Sequence, residues 1–242
     1  ILEYCIVEYG NSTGNGAVLV SDASPFINYC NFQNNSLTRG GGQVDHVANA
    51  IKFNSPTDVS HSRITNNTFN NNKVAIDMTG AGNDIAISGN TFDGNWFEAL
   101  ELSAGTSTVI FSDNIIYGYG TGSYQSLFLE ASASASINVI NNQFLGPHSR
   151  DFLWSEQQNS YTVMGPAIEI GSGIYSITGN LFYKTNRAID SGESAVAEVS
   201  ISNNSFIDIL SDCYNNNRGA GCAVFMRGPN STTISNNKFH SI

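Results

Sequence analysis

Ile87–Ser88–Gly89–Asn90–Thr91–Phe92 decides the fold, because the chain writes the same phrase over and over. The phrase is an apolar residue, any residue, then Asn, Gly or Asp, then Asn, any residue and an apolar residue. It returns at Ile64–Phe69, Phe111–Ile116, Val139–Phe144, Ile177–Phe182, Ile201–Phe206 and Ile234–Phe239. Its central Asn falls at 67, 90, 114, 142, 180, 204 and 237, in steps of 23, 24, 28, 38, 24 and 33 residues. Two earlier copies, Leu2–Val7 and Ile27–Phe32, carry Cys5 and Cys30 in the place of that Asn. A self-similar period of roughly 20–50 residues marks a solenoid, a propeller or an array.

A second phrase, small–apolar–x–apolar, sits between copies of the first. It occurs at Ala17–Val20, Ala50–Phe53, Ala75–Met78, Ala99–Leu102, Ser126–Leu129, Ala167–Ile170 and Ala223–Met226, with Ala188–Ser191 a weaker copy. Such short alternating segments read as half-buried strands. Each repeat then holds three: in one coil they are Ile85–Ser88, Thr91–Asp93 and Ala99–Leu102. No repeat has a helical run for a leucine-rich or ankyrin unit, and the regular hairpin turns of a propeller blade are missing. The constant element is a two-residue corner, which suits strands winding one way. A corner that tight needs a left-handed residue, tolerated best by Gly and Asn. Coils stacked ~4.8 Å apart bring like residues into vertical contact, so the Asn amides can bond in a ladder and the following Phe rings can stack inside.

With these phrases in register, the chain resembles the right-handed parallel β-helix superfamily, which includes pectate lyases, polygalacturonases, other polysaccharide lyases and phage tailspikes. The resemblance spans nearly the whole chain. It implies an all-β, right-handed, single-stranded parallel β-helix over residues 1–242, with about nine coils, three sheets and an internal Asn ladder. It also implies an order: the small–apolar–x–apolar strand forms the first sheet, the strand before Asn the second, the strand after it the third. Val44–Asp45–His46 is faintly similar to a pectate-lyase strand motif but lies in an insertion. The Asn-Thr-Asp, Gly-His-Gly and Arg-Ile-Lys signatures of polygalacturonases are absent, as is the epimerase signature Tyr-Gly followed by Asp-Pro-His-Asp. The resemblance therefore implies a fold and leaves the activity open.

Acidic residues number 20 against 10 Lys and Arg, a formal net charge of −10 with pI near 4.6. Nucleic acid, which needs clustered cations, is disfavoured. No transmembrane run is present, and the Asn-, Ser-, Thr- and Gly-filled surface matches extracellular or cell-surface solenoids by resemblance. The chain opens inside a strand without Met, so the expectation is a piece of a longer protein, with further domains and an N-terminal cap outside it. Cys5 and Cys30 are expected to be buried, reduced neighbours that fill the corner on consecutive coils. Cys213 and Cys222 bracket a polar loop, and a disulfide or two thiols remain equally open there.

The three longest steps insert at one place, Ser36–Asn49, Gly146–Pro166 and Leu210–Cys222, and should frame the outer face of the first sheet. The outward residue of that sheet reads Leu19, Lys52, Asp77, Glu101, Leu129, Glu169, Asp190 and Phe225 from coil to coil. Asp77, Glu101, Glu169 and Asp190 are therefore the candidate acid, base or nucleophile. Like charges one coil apart raise one another's pKa, and a raised and an ordinary carboxyl are the partners of glycoside hydrolysis. The same oxygens could hold Ca2+, the only cofactor the sequence suggests. Lys52 reads either as a lyase base or as an ion-pair partner of Asp77. Trp96, Tyr119, Tyr124 and Trp154, with Phe97, Tyr117, Phe152 and Tyr161 nearby, offer rings for sugar stacking, and His148 and Arg150 accompany them. The expected function is a glycoside hydrolase or polysaccharide lyase working on a polysaccharide in this groove. The alternative is a non-catalytic glycan-binding, adhesin or tail-fibre-like module. An ice-binding face would need regular outward Thr ranks, which this acidic line lacks.

Overall fold

The computed structural model describes residues 1–8, 16–21, 23–35, 37–38, 44–45, 49–53, 61–79, 84–95, 98–105, 108–117, 126–132, 134–146, 154–155, 160–161, 166–185, 187–192, 195–209 and 222–241. These form three long sheets of eight, nine and nine strands, and every pairing within them is between strands of successive coils. The pairings are parallel, as in Ile76–Thr79 beside Leu100–Ala104, Ile85–Ser88 beside Thr108–Ser112, and Thr91–Asp93 beside Ile115–Tyr117. The sheets are the three expected from the two phrases, in the expected order. Two short antiparallel pairs, Leu37–Thr38 with Val44–Asp45 and Trp154–Ser155 with Ser160–Tyr161, lie in the first two insertions. The rest of the three insertions lies largely outside the described residues.

The interior is one column per sheet. Phe32, Phe69 and Phe92 stack with centroids 4.9 and 5.0 Å apart, and Phe144, Phe182, Phe206 and Phe239 continue at 4.9, 5.0 and 5.0 Å. Ile116 interrupts the column, and there Phe92 meets Phe111 of the second sheet at 5.9 Å instead.

The Asn column is continuous from Asn67 to Asn237. Each Nδ2 donates to the Oδ1 of the Asn one coil on, at 3.0–3.1 Å. That same Oδ1 also accepts the backbone N–H of the Asn behind it, as Asn142 Oδ1 does from Asn114 at 2.9 Å. The second amide proton goes to a carbonyl of the preceding coil, as Asn142 Nδ2 does to Phe111 O at 2.9 Å. Every polar atom of a buried amide thus finds partners. The ladder ends on Cys30, whose backbone N–H donates to Asn67 Oδ1 at 2.8 Å.

The left-handed residue is not the ladder Asn but the residue before it: Asn66, Gly89, Asp113, Asn141, Gly179, Asn203 and Asn236, with φ from 54° to 71°. The two requirements are divided between neighbours, one residue turning the backbone outside and the next bonding inside. Gly89 has φ +66°, and a Cβ there would lie 2.7 Å from Asn66 Oδ1. Gly89→Ala is expected to lower stability by about 1–2 kcal/mol, mostly from the left-handed strain. A chemical denaturation midpoint unchanged from the parent would refute that division of labour.

A second corner, after the third strand, was not read from the sequence. Asn34, Asn71, Gly94, Lys184 and Asp208 take positive φ there, and a shorter ladder runs Asn35–Asn72–Asn95 at 2.8 and 3.0 Å. Cys5, Cys30 and Cys222 are free thiols. Cys30 is buried as expected and its thiol is pushed up by that burial, whereas Cys5 is only half-buried. The Cys222 Sγ donates to Val224 O at 2.9 Å, so it is not in a disulfide, and Cys213 lies outside the described residues.

Candidate functional site

Strand register fixes the wall. Leu19, Lys52, Asp77, Glu101, Phe128, Glu169, Asp190 and Phe225 are partnered coil to coil on the first sheet. One member differs from expectation. Phe128 faces outward, while Leu127 and Leu129 both point inward and are fully buried. The alternation of Leu127–Ala131 places Phe128 on the same face as Glu101, whichever of the three residues is bulkiest.

The carboxylates fall into two groups on either side of Phe128. In the first, Asp77 is only 5% exposed although it faces outward. Its Oδ2 accepts Asn49 Nδ2 at 2.7 Å and lies 3.4 Å from Lys52 Nζ. Lys52 is thus an ion-pair partner, the second of its two readings. Glu101, beside Asp77 in register, is half-buried, and its carboxyl is raised by burial and then by the Asp77 charge.

Glu98 joins this group unannounced. It is 8% exposed and precedes the small residue Ala99, where the chain turns into the sheet. Its carbonyl accepts the Ala75 N–H at 3.0 Å, which fixes the corner against the coil carrying Asp77. Burial, then the Glu101 charge, pushes its carboxyl from the ordinary 4.5 up to about 7, with Asp77 adding to the rise and Lys73 opposing it. The only sequence sign was a Glu three residues before Glu101, outside the alternating pattern. Because the folded carboxyl is raised, its stabilising contribution is full below about 4.5 and is lost as pH rises through about 7. Stability should therefore fall by roughly 3 kcal/mol across that window, since each tenfold change in proton affinity is worth about 1.4 kcal/mol. Glu98→Gln should flatten this part of the pH–stability curve; an unchanged slope would show that Glu98 is not its source.

In the second group, Asp190 is 4% exposed and held between two arginines. Arg187 Nη1 bonds its Oδ2 and Arg227 Nη2 lies 3.8 Å from its Oδ1. Both guanidiniums also lie over the Phe225 ring, at 5.5 and 5.3 Å from its centroid. Glu169 is raised by burial and then by the Asp190 charge. The two Asp residues are therefore ion-paired anchors, and Glu98, Glu101 and Glu169 are the carboxyls whose proton affinity is raised, that of Glu98 to about 7.

Among the described residues no three His, Cys, Asp or Glu side chains gather closely enough to hold a metal ion. Tyr117 lies on the outer face of the third sheet, in register with Asp93 and Leu145, and so not beside the acidic line. Trp154 is described only as backbone, paired with Tyr161. Trp96, Phe97, Tyr119, Tyr124, His148, Arg150 and Phe152 lie outside the described residues. Among the described residues Phe128 and Phe225 are the rings on this wall, Phe128 half-buried between the two carboxylate groups and Phe225 beneath the two guanidiniums.

Among the described residues no helix is long and apolar enough to cross a membrane. A family model described as "Right handed beta helix region" matches residues 3–164. Compared with curated proteins and with solved structures, the chain finds no match in either.

Proposed function

The chain belongs to the right-handed β-helix family, and from that premise we propose that it is a polysaccharide-cleaving protein whose substrate lies along the outer face of the first sheet. The observation that carries the reading is Asp77 and Glu101 in register on adjacent coils of one outward wall, with Glu98 in the adjoining corner near enough to feel both charges and the Glu98 and Glu101 carboxyls raised. Glu98, neutral up to about pH 7, is the proton donor to the leaving glycosidic oxygen. Glu101 is the base or nucleophile opposite it, and Asp77, anchored by Lys52 and Asn49, positions the pair. Hydrolysis is favoured over elimination because Lys52, the candidate lyase base, is engaged by Asp77 at 3.4 Å. The protein would work outside the cell or on its surface, where such polymers occur. Release of new reducing ends from a panel of plant, algal and microbial polysaccharides tests the reading; a chain that cleaves none of them refutes it.

One observation favours the non-catalytic alternative. Asp190, half of the second carboxylate pair, is ion-paired with two arginines. A glycan-binding module would retain such an ion-paired wall. Binding on a glycan array without release of reducing ends would establish that alternative instead.

A further inference from the structure

Cys5 and Cys30 stand where each later coil sets its ladder Asn. Strand register stacks one on the other. Leu2–Glu3 pairs with Ile27–Asn28 and Ile6–Glu8 with Asn31–Gln33, which carries Cys5 directly onto Cys30. The Asn31 N–H donates to Cys5 O at 2.8 Å and holds the two corners in step. Coils ~4.8 Å apart lie within the ~4.4–6.8 Å between Cα atoms that a disulfide spans. Both sulfurs sit in the same corner. Cys30 Sγ is 3.6 Å from Leu2 O, on the coil that carries Cys5, and 3.3 Å from its own Asn28 O, while Cys5 Sγ donates to Glu3 O at 3.2 Å. Burial raises the Cys30 thiol first, and the neighbouring Cys5 thiol adds to the rise, as contact between the two requires. Asn67 still bonds this corner through Ile27 O and the Cys30 N–H, but two thiols cannot carry the amide-to-amide bonds one coil further.

We infer that Cys5 and Cys30 are a disulfide-forming pair, a covalent rung where the amide ladder stops, and that the two free thiols are its reduced form. The oxidant is a small-molecule disulfide of the glutathione class. Cys5 is the entry point, since it is half-buried while Cys30 is 3% exposed. The Cys5 thiolate attacks one sulfur of the oxidant, forms a mixed disulfide and expels one thiolate. The Cys30 thiolate then attacks Cys5 Sγ, closes the Cys5–Cys30 bond and expels the second. The chain gives up two protons and two electrons, and the oxidant leaves as two thiols. The new bond ties two consecutive coils together and stands independently of the polysaccharide reading.

Peptide mapping without reductant tests this, because proteolytic cleavage after Glu8 separates the two cysteines. After the full chain is incubated with oxidised glutathione at mildly alkaline pH, the Cys5 and Cys30 peptides should be recovered joined, lighter by the two hydrogens lost. Dithiothreitol should part them. Backbone amides of Ile6–Glu8 and Phe26–Asn28 should exchange at least ~10-fold more slowly in the oxidised chain, as expected of end coils that no longer open freely. Cys30→Ser should halt the reaction at glutathione carried on Cys5, and Cys5→Ser should leave the buried Cys30 thiol unmodified in the native chain. These two variants read the order of the steps without depending on any change in stability. Two separate thiols in the parent chain, glutathione left on Cys5 beside a reduced Cys30, or either cysteine joined to Cys213 or Cys222 would overturn the inference and leave the pair as apolar filling of the corner.

Discussion

Glu101→Gln is expected to slow polysaccharide cleavage by about 10²–10⁴-fold while the chain stays folded. The amide has the shape of the acid and the site is half-buried on the outside of the coil, so packing is undisturbed. What is lost is the one carboxylate on this wall that faces outward, is not ion-paired among the described residues and is flanked by both Asp77 and Glu98. The companion change, Glu98→Gln, should cost a similar factor and alter the pH profile in a particular way. A general acid works only when protonated, so kcat/KM should fall as pH rises through about 7. In the Gln variant that basic limb should vanish. The loss should also be far smaller on aryl glycosides with good leaving groups, which need no proton. Asp190→Asn, by contrast, removes an arginine partner and should act on binding or stability, not on this limb. A fully active Glu101→Gln protein would remove the proposed centre; a basic limb that survives Glu98→Gln would move the proton donor elsewhere.

The fold was legible because a solenoid turns sequence period into vertical contact. Asn67 and Asn90 are 23 residues apart and touch at 3.0 Å, and no intervening loop alters that. Burial pattern within a strand was nearly as plain, since Ile76, Leu100, Ile168 and Ile189 all point inward as alternation requires. The Phe128 misassignment came where Leu127, Phe128 and Leu129 are all apolar, so hydrophobicity could not mark the face and only register with Glu101 and Glu169 could. Glu98 was missed for a different reason. It lies in a corner, where no period-two rule applies, and its importance comes from Glu101 and Asp77 approaching it in space. The division between Asn66 and Asn67 was invisible for the same cause, because adjacent identical letters can hold opposite jobs when one has positive φ and its neighbour does not. The ion pairing of Asp190 was also unreadable, since Arg227 comes from a different coil, 37 residues on.

Asn142→Ala should be the most damaging single change to the scaffold. Its side chain makes four hydrogen bonds: Oδ1 accepts from Asn114 N and Asn114 Nδ2 at 2.9 and 3.0 Å, and Nδ2 donates to Phe111 O and Asn180 Oδ1 at 2.9 and 3.0 Å. Asn142 and Asn114 are fully buried, so water cannot take over the vacated positions. Each orphaned buried group costs about 1–3 kcal/mol, and two donors of Asn114 and one carbonyl of Phe111 are left so, for a total of roughly 3–9 kcal/mol. That is a large fraction of the ~5–15 kcal/mol that holds a typical domain together. Leu at the same position should do no better, because the orphaned donors belong to the coil behind it. Asn237→Ala provides the control. It removes the same kind of amide where the residue is only half-buried, and solvent can bond the freed Asn204 groups, so about 1 kcal/mol or less is expected. Because stability in a solenoid is the sum of coils and their interfaces, the central break should also split unfolding into two transitions, seen as a lower m-value in urea. Equal losses from Asn142→Ala and Asn237→Ala would mean that the amides fill space in the corner and that the ladder carries no cooperative energy of its own.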